Sequence, residues 1–419
     1  MLSQQQIDIV KSTVPVLKEY GNTVTEVFYN NLLHDNSSLK EIFNQGNQDN
    51  GHQAKALAGA IYAYAAHIDN LGPLGPAVEH ITHKHASLFI KPEQYDLVGK
   101  YLLEAFSQVL RDAFTPEIKD AWAAAYSQLA DILIDAEQKL YSEAGTWTTW
   151  RDFIIEKKIP ESSDITSFWL APVDQQPLPS YLPGQYISIR VHVPSLEKYQ
   201  ARQYSLSDKP APDHYRISVK RVPGIDKGNP EANAHPGSVS NVLHAEKSVG
   251  DIVQLSRPLG DFYLDSTCPE QGAVVLISAG VGLTPLISML NTILGNESSS
   301  RPITWIHGAR STEARAFAKH VRISRETHQD LRIVTFIQHL SESDQLGLDY
   351  QHAGRVDLKK CDPEQHLFLT SRSTVYFICG PSSFMTDVQQ ELLSCGVNEA
   401  QIKMELFGTG AIETTPAHL

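Results

Sequence analysis

The spacing of apolar residues changes twice along the chain, and the first part has a helical period. Up to about residue 142, alanine-rich stretches such as ALAGAIYAYAAHI and AWAAAYSQLADILIDAEQKL follow this period, and alternating β-branched runs are almost absent. Prolines near glycine or helix-capping residues divide this part into several helices with short connections. These prolines are Pro15, Pro73, Pro76, Pro92 and Pro116. The first third is therefore predicted to be all-helical.

From about Trp150 the sequence consists of short runs rich in Val, Ile, Tyr and Arg, separated by proline and glycine turns. These runs are RDFIIEKKI, GQYISIRVHV, ARQYSLS, YRISVKRV and DIVQLSRP. Their length and spacing predict the strands of a small antiparallel barrel. Pro223 to Gly237 is rich in Pro, Gly and Asn and is expected to form a surface loop.

Beyond about residue 268 apolar strands alternate with amphipathic helices. The strands are AVVLISA, ITWIHGA, LRIVTFI and VYFICG, and the helices include PLISMLNTIL, EARAFAKHV and DVQQELLSCG. This alternation predicts a parallel sheet flanked by helices. The expected fold is multi-domain, with boundaries at residues 1–142, a linker 143–149, and then residues 150–266 and 267–419.

Composition narrows the possible partners and compartments. The net charge of −13 leaves no broad cationic surface for nucleic acid or anionic membrane. The four cysteines are far apart and form no CxxC pair, which disfavours a disulfide framework or structural zinc. No apolar stretch approaches a membrane-spanning length of about 20 residues. We expect a cytoplasmic monomer; the final Ala417-His418-Leu419 loosely resembles a peroxisomal address, but an ordinary chain end is the favoured alternative.

The segment SAGVGLTP, from Ser278 to Pro285, lies between an apolar strand and a helix. Glycines at such a turn let backbone N–H groups approach a pyrophosphate at the helix N-terminus. Pro285 replaces the third glycine of the usual pattern, so that an ordinary strand-to-helix turn explains this segment equally well. The segment RQYSL, from Arg202 to Leu206, likewise fits either a ligand-binding strand or a solvent-facing edge strand.

The order of the motifs is more specific than any one of them. PGQY, RQYSL, VKR, GSVSN, GDF, SAGVGLTP, CGP and ELFG follow one another from residue 183 to residue 408. From about Trp150 onward the chain resembles the flavin and nicotinamide module of ferredoxin-reductase-type proteins. The resemblance implies an antiparallel β-barrel FAD domain followed by an α/β parallel-sheet nicotinamide-binding domain.

By that resemblance Arg202 meets the flavin pyrophosphate, Tyr204 packs on the isoalloxazine ring and Ser205 hydrogen-bonds near its reactive nitrogen. The helix beginning after Gly237 supports the same pyrophosphate, and Phe407 lies where the nicotinamide enters. The resemblance also assigns cofactor contacts to Tyr186, Gln203, Lys220, Ser238, Val239, Ser240, Gly280, Val281, Gly282, Leu283, Thr284, Pro285, Cys379, Gly380, Pro381, Leu406 and Gly408. No acidic residue marks the ribose and Arg310 can accept a 2′-phosphate, so the choice between NADH and NADPH stays open.

The helical part contains three histidines in AVEHITHKHASLF. At 100° per residue His80 and His83 share one face of a helix, whereas His85 is rotated by about 200° from His83. On this evidence alone all three could be ordinary surface histidines.

The order of helical segments favours a ligand role for one of them. FYNNLLHDNSSLKEIFN, GHQAKALAGAI, AVEHITHKHASLFIKPEQYDLVGKYLL and AWAAAYSQLADILIDAEQ resemble the all-α globin domain of flavohaemoglobins. With the reductase module behind it, this resemblance covers the whole chain. It implies haem b, FAD and NADH or NADPH as cofactors, with His85 as the proximal iron ligand.

The same resemblance assigns the distal side of the haem. Tyr29 would donate a hydrogen bond to the bound ligand, Gln53 and Leu57 share a helix face lining this pocket, and Phe43 would wedge against the porphyrin. His52 is a rival distal residue, but it precedes the matched position by one and should point elsewhere.

Glu137 lies beside the apolar stripe of the last helix of the domain, where a carboxylate needs a partner or must turn to water. The resemblance pairs Glu137 with Tyr95 and with the far nitrogen of His85, which would push electron density toward iron. It also implies that Lys84, near a haem propionate, and Glu405, near the flavin, tune electron transfer.

The activity implied is that of a nitric oxide dioxygenase, in which NAD(P)H electrons pass through FAD to haem and NO is converted to nitrate with O2. Its partners would be the small molecules NO, O2 and NAD(P)H, with no nucleic acid and no integral membrane contact. Two alternatives remain. One is an O2- or NO-sensing protein with a maintenance reductase, and the other is an NAD(P)H-dependent flavin reductase without haem.

Overall fold

The computed structural model describes residues 2–43, 51–143, 145–224, 236–264, 272–296 and 301–408. Cys268, the Ala417–Leu419 tail and most of the loop predicted at 223–237 lie outside the described residues. Within them, no helix combines the length and apolarity that a membrane crossing needs.

The first part of the chain is helical, as predicted. Each of the five prolines lies in the first turn of a helix, where its missing N–H has no intrahelical partner to lose. The helices pack around a core that includes Phe28, Phe106 and Trp122. They are α1 (Gln4–Ser12), α2 (Val14–Asp35), α3 (His52–Ala66), α4 (Gly75–Ser87), α5 (Pro92–Leu110) and α6 (Pro116–Glu143).

The second part forms an antiparallel sheet of strand order β4-β3-β6-β1-β2-β5. Its edges meet beyond the end of β4, where Leu206 pairs with Ile217 and the Ser207 N–H donates to the Arg216 carbonyl at 2.8 Å. The expected antiparallel sheet is confirmed; the described residues connect its two edges over this short stretch, and the barrel is not fully closed. The elements are β1 (Arg151–Pro160), β2 (Ile165–Pro172), β3 (Tyr186–Val193), β4 (Lys198–Ser205), β5 (Tyr215–Lys220), α7 (Ser238–Ala245) and β6 (Ile252–Leu255).

Strand β2 is absent from the runs predicted as strands. It lies between β1 and β5, and its sequence ITSFWLAP is buried along nearly its whole length. A strand covered on both faces lacks the alternation of apolar and polar residues that identifies a half-exposed strand.

The third part is a parallel sheet of strand order β10-β9-β8-β7-β11-β12, as predicted. Because β7 and β11 are neighbours, the glycine turn after β7 and the CGP turn after β11 meet at the carboxyl edge of the sheet. Its elements are β7 (Val274–Ala279), α8 (Leu283–Leu294), β8 (Ile303–Ala309), α9 (Ala318–Thr327), β9 (Leu331–Ile337), β10 (His352–Ala353), β11 (Val375–Cys379), α10 (Ser382–Ser394) and β12 (Ile402–Glu405).

Short 3-10 helices connect several of these elements. They span Ser37–Glu41, Gly72–Leu74, Arg111–Ala113, Pro194–Leu196, Gly280–Gly282, Thr312–Ala314, Leu358–Lys360 and Glu399–Gln401.

Helix α4 joins the helical part to the barrel. Its residue Ala86 packs with Tyr186 and Leu259 of the barrel in a small apolar cluster. Phe89, just beyond the helix, lies edge-on to Trp150 at a ring-centroid distance of 5.2 Å. The helix that carries His85 is therefore also an interface helix.

Candidate functional site

His85 lies in the last turn of α4, and its Nδ1 atom contacts groups from two other helices. Nδ1 is 2.8 Å from the Glu137 carboxylate on α6 and 2.8 Å from the Tyr95 hydroxyl on α5. The Tyr95 hydroxyl also donates to the same carboxylate oxygen. Nδ1 is thereby placed to donate a hydrogen bond to the carboxylate, and in that tautomer Nε2 keeps a lone pair. Nε2 of His85 is therefore the atom that can bind a metal.

The Glu137 carboxylate is 2% exposed and does not turn to water. Ala130 and Leu133 belong to the buried face of α6, and Glu137 extends this face by one turn. Burial and the hydrogen bond to Glu137 raise the pKa of the Tyr95 hydroxyl above its usual range, so that Tyr95 stays a donor. A carboxylate behind a metal-binding histidine makes the imidazole more basic and a stronger ligand.

This donor set fits haem iron. Within the described ranges no group of three or more His, Cys, Asp and Glu side chains converges on a metal position. A single histidine ligand is how globin-type sites hold haem. Phe43 and Leu57, both assigned to the haem pocket, pack against the helical core while remaining partly exposed, as walls of a cofactor site would.

The distal candidate Tyr29 is 7% exposed and lies edge-on to Phe43, with ring centroids 5.6 Å apart. Its hydroxyl forms a hydrogen bond with the side chain of Gln53, and burial raises its pKa above the usual range. Tyr29 is therefore a neutral donor in an apolar setting. His52 is exposed, whereas Gln53 and Leu57 are half-buried.

The other two histidines of α4 contact the barrel. His80 Nδ1 is 3.1 Å from the Asp261 carboxylate, and the Gly260 N–H donates to His83 Nδ1 at 3.1 Å. The expected division of the helix faces is confirmed, since these two histidines meet the GDF turn while His85 faces α5 and α6. The alternative in which all three are ordinary surface histidines is wrong.

Arg202, Tyr204 and Ser205 lie on β4, and none of the three is exposed. Burial lowers the pKa of the Arg202 guanidinium to about 10 and raises the pKa of Tyr204. Ser205 pairs with Tyr186 on β3, and that tyrosine is buried against the GDF turn. A half-buried cation, an aromatic face and a small hydroxyl side by side fit a flavin nucleotide.

The helix assigned to the pyrophosphate, α7, begins after Gly237. A Cβ atom at Gly237 would lie 2.5 Å from the rotatable Ser240 hydroxyl and 3.0 Å from Val222 Cβ, so the turn is tightly packed around this glycine. Val239 and Ser240 are buried, while Gly237 and Ser238 are half-buried at the open end of the helix. The opposite end is held by Lys158, whose Nζ donates to the carbonyls of three residues.

The glycine turn after β7 faces a cleft of about 110 Å³ between the barrel and the parallel sheet. Gly280, Val281, Lys220 and Arg310 line it, together with Asp164, whose carboxylate lies 3.6 Å from Lys220 Nζ. A Cβ atom at Gly282 would lie 2.1 Å from the Cys379 carbonyl, so this glycine permits the contact between the two loop segments. The cations and the approachable backbone fit the pyrophosphate of a dinucleotide.

The remaining residues of the turn form its buried base. Leu283, Thr284 and Pro285 are buried at the start of α8, and Cys379 is buried at the end of β11. Gly380 is half-buried and Pro381 is exposed.

Glu405 is 8% exposed at the end of β12, where all three parts of the chain meet. Burial and the nearby Asp261 raise the pKa of its carboxyl to about 8, against the opposing charges of His80 and Lys84. Lys84 Nζ donates to the Gly408 carbonyl at 3.3 Å. Of the neighbouring residues, Leu406 is half-buried and Phe407 is 43% exposed.

Sequence reasoning assigned no role to several residues that join these sites. Ser87 and Ser188 are fully buried and hydrogen-bonded to each other across the domain boundary. Asp261 lies in the GDF motif recognised from the sequence, but its partner was not predicted, because His80 is 181 positions away along the chain. The available sequence signal for Ser87 was its position, since it carries a hydroxyl two residues after the predicted iron ligand.

Three family models match consecutive parts of the chain. Residues 26–133 match the Globin model, residues 152–263 the Oxidoreductase FAD-binding domain and residues 276–390 the Oxidoreductase NAD-binding domain. The order agrees with the predicted fold class.

Relatives and solved structures span the same arrangement. The flavohemoprotein of Bordetella parapertussis is 45% identical, covering 98% of this chain and 100% of the relative, and that of Bacillus subtilis is 42% identical, covering 97% and 98%. A flavohemoglobin from Malassezia yamatoensis, crystallised with bound FAD and heme, has a TM-score of 0.83 at 27% identity over 97% of this chain and 100% of its own. The FAD/NAD-binding domain of a Vibrio cholerae nitric oxide dioxygenase covers 62% of this chain and 98% of its own, with a TM-score of 0.53 and 33% identity.

The expected cofactors are confirmed as haem, FAD and a nicotinamide nucleotide. The protein is an oxidoreductase in which electrons from NAD(P)H pass to haem. The chain belongs to the flavohemoprotein family.

Proposed function

We propose that the protein is a nitric oxide dioxygenase. The observation that carries this proposal is the pair of hydrogen bonds by which Glu137 and Tyr95 hold Nδ1 of His85. A histidine made basic in this way favours oxygen activation over reversible oxygen storage. The Vibrio cholerae protein whose reductase domain resembles this chain is itself a nitric oxide dioxygenase.

The cofactors supply an iron centre for O2 and NO and a flavin that converts a two-electron donor into single electrons. Each NO consumes one O2 and one electron to give nitrate, so one NAD(P)H supports two turnovers. The residues of the chain bind, orient and insulate these groups.

On the haem side His85 would bind iron through Nε2, while Tyr95 and Glu137 fix the ring and its proton on Nδ1. Tyr29 would donate its hydroxyl proton in a hydrogen bond to the ligand on the distal side, with its ring held by Phe43 and its oxygen by Gln53. Leu57 would exclude water from the same pocket.

On the reductase side Arg202 would neutralise the flavin pyrophosphate, together with the N–H groups that open α7. Tyr204 and Tyr186 would hold the flat ring, and Ser205 would hydrogen-bond to its edge. Lys220 and Arg310 would receive the nicotinamide dinucleotide in the cleft beside Gly280. Phe407, partly exposed, would yield to the entering nicotinamide.

The test is aerobic NO consumption by the purified holoprotein with NAD(P)H, followed with an NO electrode and a nitrate assay, with and without cyanide. We expect rapid, oxygen-requiring, cyanide-blocked loss of NO, with two nitrates formed per NAD(P)H. Slow turnover with tight ligand binding would favour a sensor instead. A wild-type protein that oxidises NAD(P)H without consuming NO, and whose activity is unchanged in His85→Ala, would favour a plain flavin reductase. Loss of NO consumption in His85→Ala with retained NAD(P)H oxidation to artificial acceptors would exclude it.

Tyr29→Phe tests the distal assignment separately. Loss of a hydrogen bond to a strongly polarised ligand should speed O2 release about tenfold and weaken turnover at low O2. Stopped-flow O2 release from the reduced protein measures this directly. An unchanged off-rate would remove Tyr29 from the proposed role.

A further inference from the structure

Three polar side chains form a continuous hydrogen-bond chain across the boundary between the helical part and the barrel. Gln203 Nε2 on β4 donates to the Ser188 hydroxyl on β3 at 3.2 Å, and Ser188 donates to the Ser87 hydroxyl on α4 at 2.9 Å. Ser87 in turn donates to the Lys84 carbonyl at 2.8 Å. Every donor points the same way, and such chains strengthen each of their bonds.

This chain ends at the peptide bond that precedes His85, the proposed iron ligand. The carbonyl of Lys84 belongs to the peptide bond that joins Lys84 to His85. It is one of the last four carbonyls of α4, and the N–H of Leu88 bonds to the His85 carbonyl instead of to it, at 3.0 Å. The Ser87 hydroxyl supplies a donor to that carbonyl. The chain therefore connects the residue beside Tyr204 and Ser205 to the backbone of His85.

The hydroxyls of this chain are buried at the boundary between the helical part and the barrel. Ser87 and Ser188 are fully buried, and the hydroxyl of Tyr186 also hydrogen-bonds with Ser87. A buried hydroxyl without a hydrogen-bond partner destabilises a protein. These hydroxyls find their partners in one relative position of the two domains, so their hydrogen bonds favour that position. Thr82, also buried on α4, differs in that its hydroxyl donates within the helix to the Val78 carbonyl at 2.7 Å.

We propose that Ser87 is a positioning residue for electron transfer from flavin to haem. Through Ser188 and Gln203 it sets the separation and orientation of the flavin-binding strand relative to the helix that carries the iron ligand. Because coupling is reciprocal, occupation of the flavin site should also alter the bond between His85 and iron. The inference rests on the electron-transfer step of the proposed function and holds whatever molecule the haem then acts upon.

The test compares Ser87→Ala with Thr82→Ala, which removes a buried hydroxyl from the same helix without touching the barrel. Anaerobic stopped-flow absorbance separates flavin reduction by NADH from the following haem reduction. In Ser87→Ala we expect haem reduction to slow about fivefold, the factor that corresponds to the net contribution of one hydrogen bond. Flavin reduction should change by less than twofold in both variants, and Thr82→Ala should keep the wild-type rate of haem reduction.

A second readout does not depend on turnover. The iron–histidine stretching frequency of the ferrous holoprotein is measured by resonance Raman spectroscopy before and after removal of FAD. We expect FAD to shift this frequency in the wild type and in Thr82→Ala but not in Ser87→Ala. Ser188→Ala removes the 2.9 Å bond from the barrel side, while Gln203 Nε2, 3.4 Å from the Ser87 hydroxyl, and Tyr186 still contact Ser87. It should change both readouts in the same direction as Ser87→Ala but by less, which keeps the test valid where one variant folds poorly.

Three outcomes would overturn the inference: equal slowing in Ser87→Ala and Thr82→Ala, a slowing of flavin reduction alone, or an FAD-dependent frequency shift that survives Ser87→Ala and Ser188→Ala. A protein that reduces its haem normally yet consumes no NO would overturn the dioxygenase proposal and leave this inference standing.

Discussion

Glu137 and Glu405 are both buried carboxylates, 2% and 8% exposed, in different parts of the molecule. Glu137 receives hydrogen bonds from two side chains, Tyr95 and His85. Glu405 makes no side-chain hydrogen bond to another described residue and is surrounded by the charges of Asp261, His80 and Lys84. The two carboxylates are therefore buried to a similar extent, but different groups offset the cost of burying them.

The difference separates two uses of a buried carboxylate. Direct donors keep a carboxylate ionised and fixed, which suits a group that must polarise a neighbouring histidine. A buried carboxylate that has charges of both signs around it, and no direct donor, has a raised pKa because burial disfavours its charged form. For Glu405 the pKa is raised to about 8. Glu137 is fixed by direct hydrogen-bond donors, whereas burial raises the pKa of Glu405 in a site without such donors among the described residues.

The largest effect is expected from Glu405→Gln, through the pH dependence of stability. The folded-state pKa of about 8 lies above the ordinary value of 4.5, so the folded chain retains a proton that the unfolded chain releases between these values. Stability should fall as pH rises through this window. Glutamine cannot ionise, so the variant should gain relative stability, by at most about 5 kcal/mol above pH 8.

Urea unfolding of the wild type and of Glu405→Gln between pH 4 and pH 9, about the range of these values, measures the effect. Glu399→Gln, on the exposed segment before β12, is the matched control and should follow the wild type. A constant difference in unfolding free energy between Glu405→Gln and the wild type across this range would mean that Glu405 does not hold a proton near neutrality.

Glu137→Gln should have the next largest effect, because it keeps the shape of the side chain and removes its charge. Partners of metal-binding histidines typically contribute about 10-fold to 100-fold to activity or affinity. We expect turnover to fall within that range and the iron–histidine stretching frequency to decrease. Steady-state NO consumption and resonance Raman spectroscopy measure the two effects.

Glu143→Gln provides the control for this variant, since Glu143 lies on the same helix and is exposed. An unchanged iron–histidine frequency in Glu137→Gln would show that the carboxylate does not tune the histidine. The contrast with Glu405 would then concern stability alone.

The architecture followed from the sequence wherever local signals were strong. Prolines marked helix starts from Pro15 to Pro116, and apolar runs marked the strands of the parallel sheet. Strand β2 was missed because its apolar and polar residues do not alternate. Local sequence patterns identify a strand by the polar residues on its exposed face, and β2 has almost no exposed face.

The candidate site was less accessible to sequence reasoning. Helical geometry alone separated His85 from His80 and His83, but a family resemblance was needed to pair His85 with Glu137, which lies 52 residues away. The contact of Ser87 with Ser188 joins residues 101 positions apart and has no local pattern. Such contacts depend on how the domains dock, which no single segment encodes.

Tyr95→Phe should have a smaller effect, because Glu137 keeps its hydrogen bond with His85. Loss of one buried hydrogen bond should reduce the unfolding free energy by about 1 kcal/mol. The iron–histidine frequency should stay closer to the wild-type value than in Glu137→Gln. Thermal unfolding and Raman spectra of the ferrous protein provide these measurements.

Tyr101→Phe is the matched control, since the Tyr101 hydroxyl on the same helix donates to the Asp35 carboxylate at 2.8 Å, away from the haem side. It should lose comparable stability without any change in frequency. A frequency shift in Tyr95→Phe as large as in Glu137→Gln would mean that hydrogen-bond geometry, and not charge, gives Glu137 its effect.

The smallest effect is expected from Lys84→Met, which removes the weakest of the charges acting on Glu405. The cation of Lys84 lowers the pKa of that carboxyl, so its loss should move the upper end of the stability transition to higher pH by less than about one unit. Urea unfolding across the same pH range measures the shift, and Lys139→Met, an exposed lysine on α6, serves as the control. A shift to lower pH would mean that Lys84 acts on Glu405 by excluding water from the pocket. Glu405 would then owe its proton to burial and to the charge of Asp261, and the contrast between the two carboxylates would lie in the direct donors that hold Glu137.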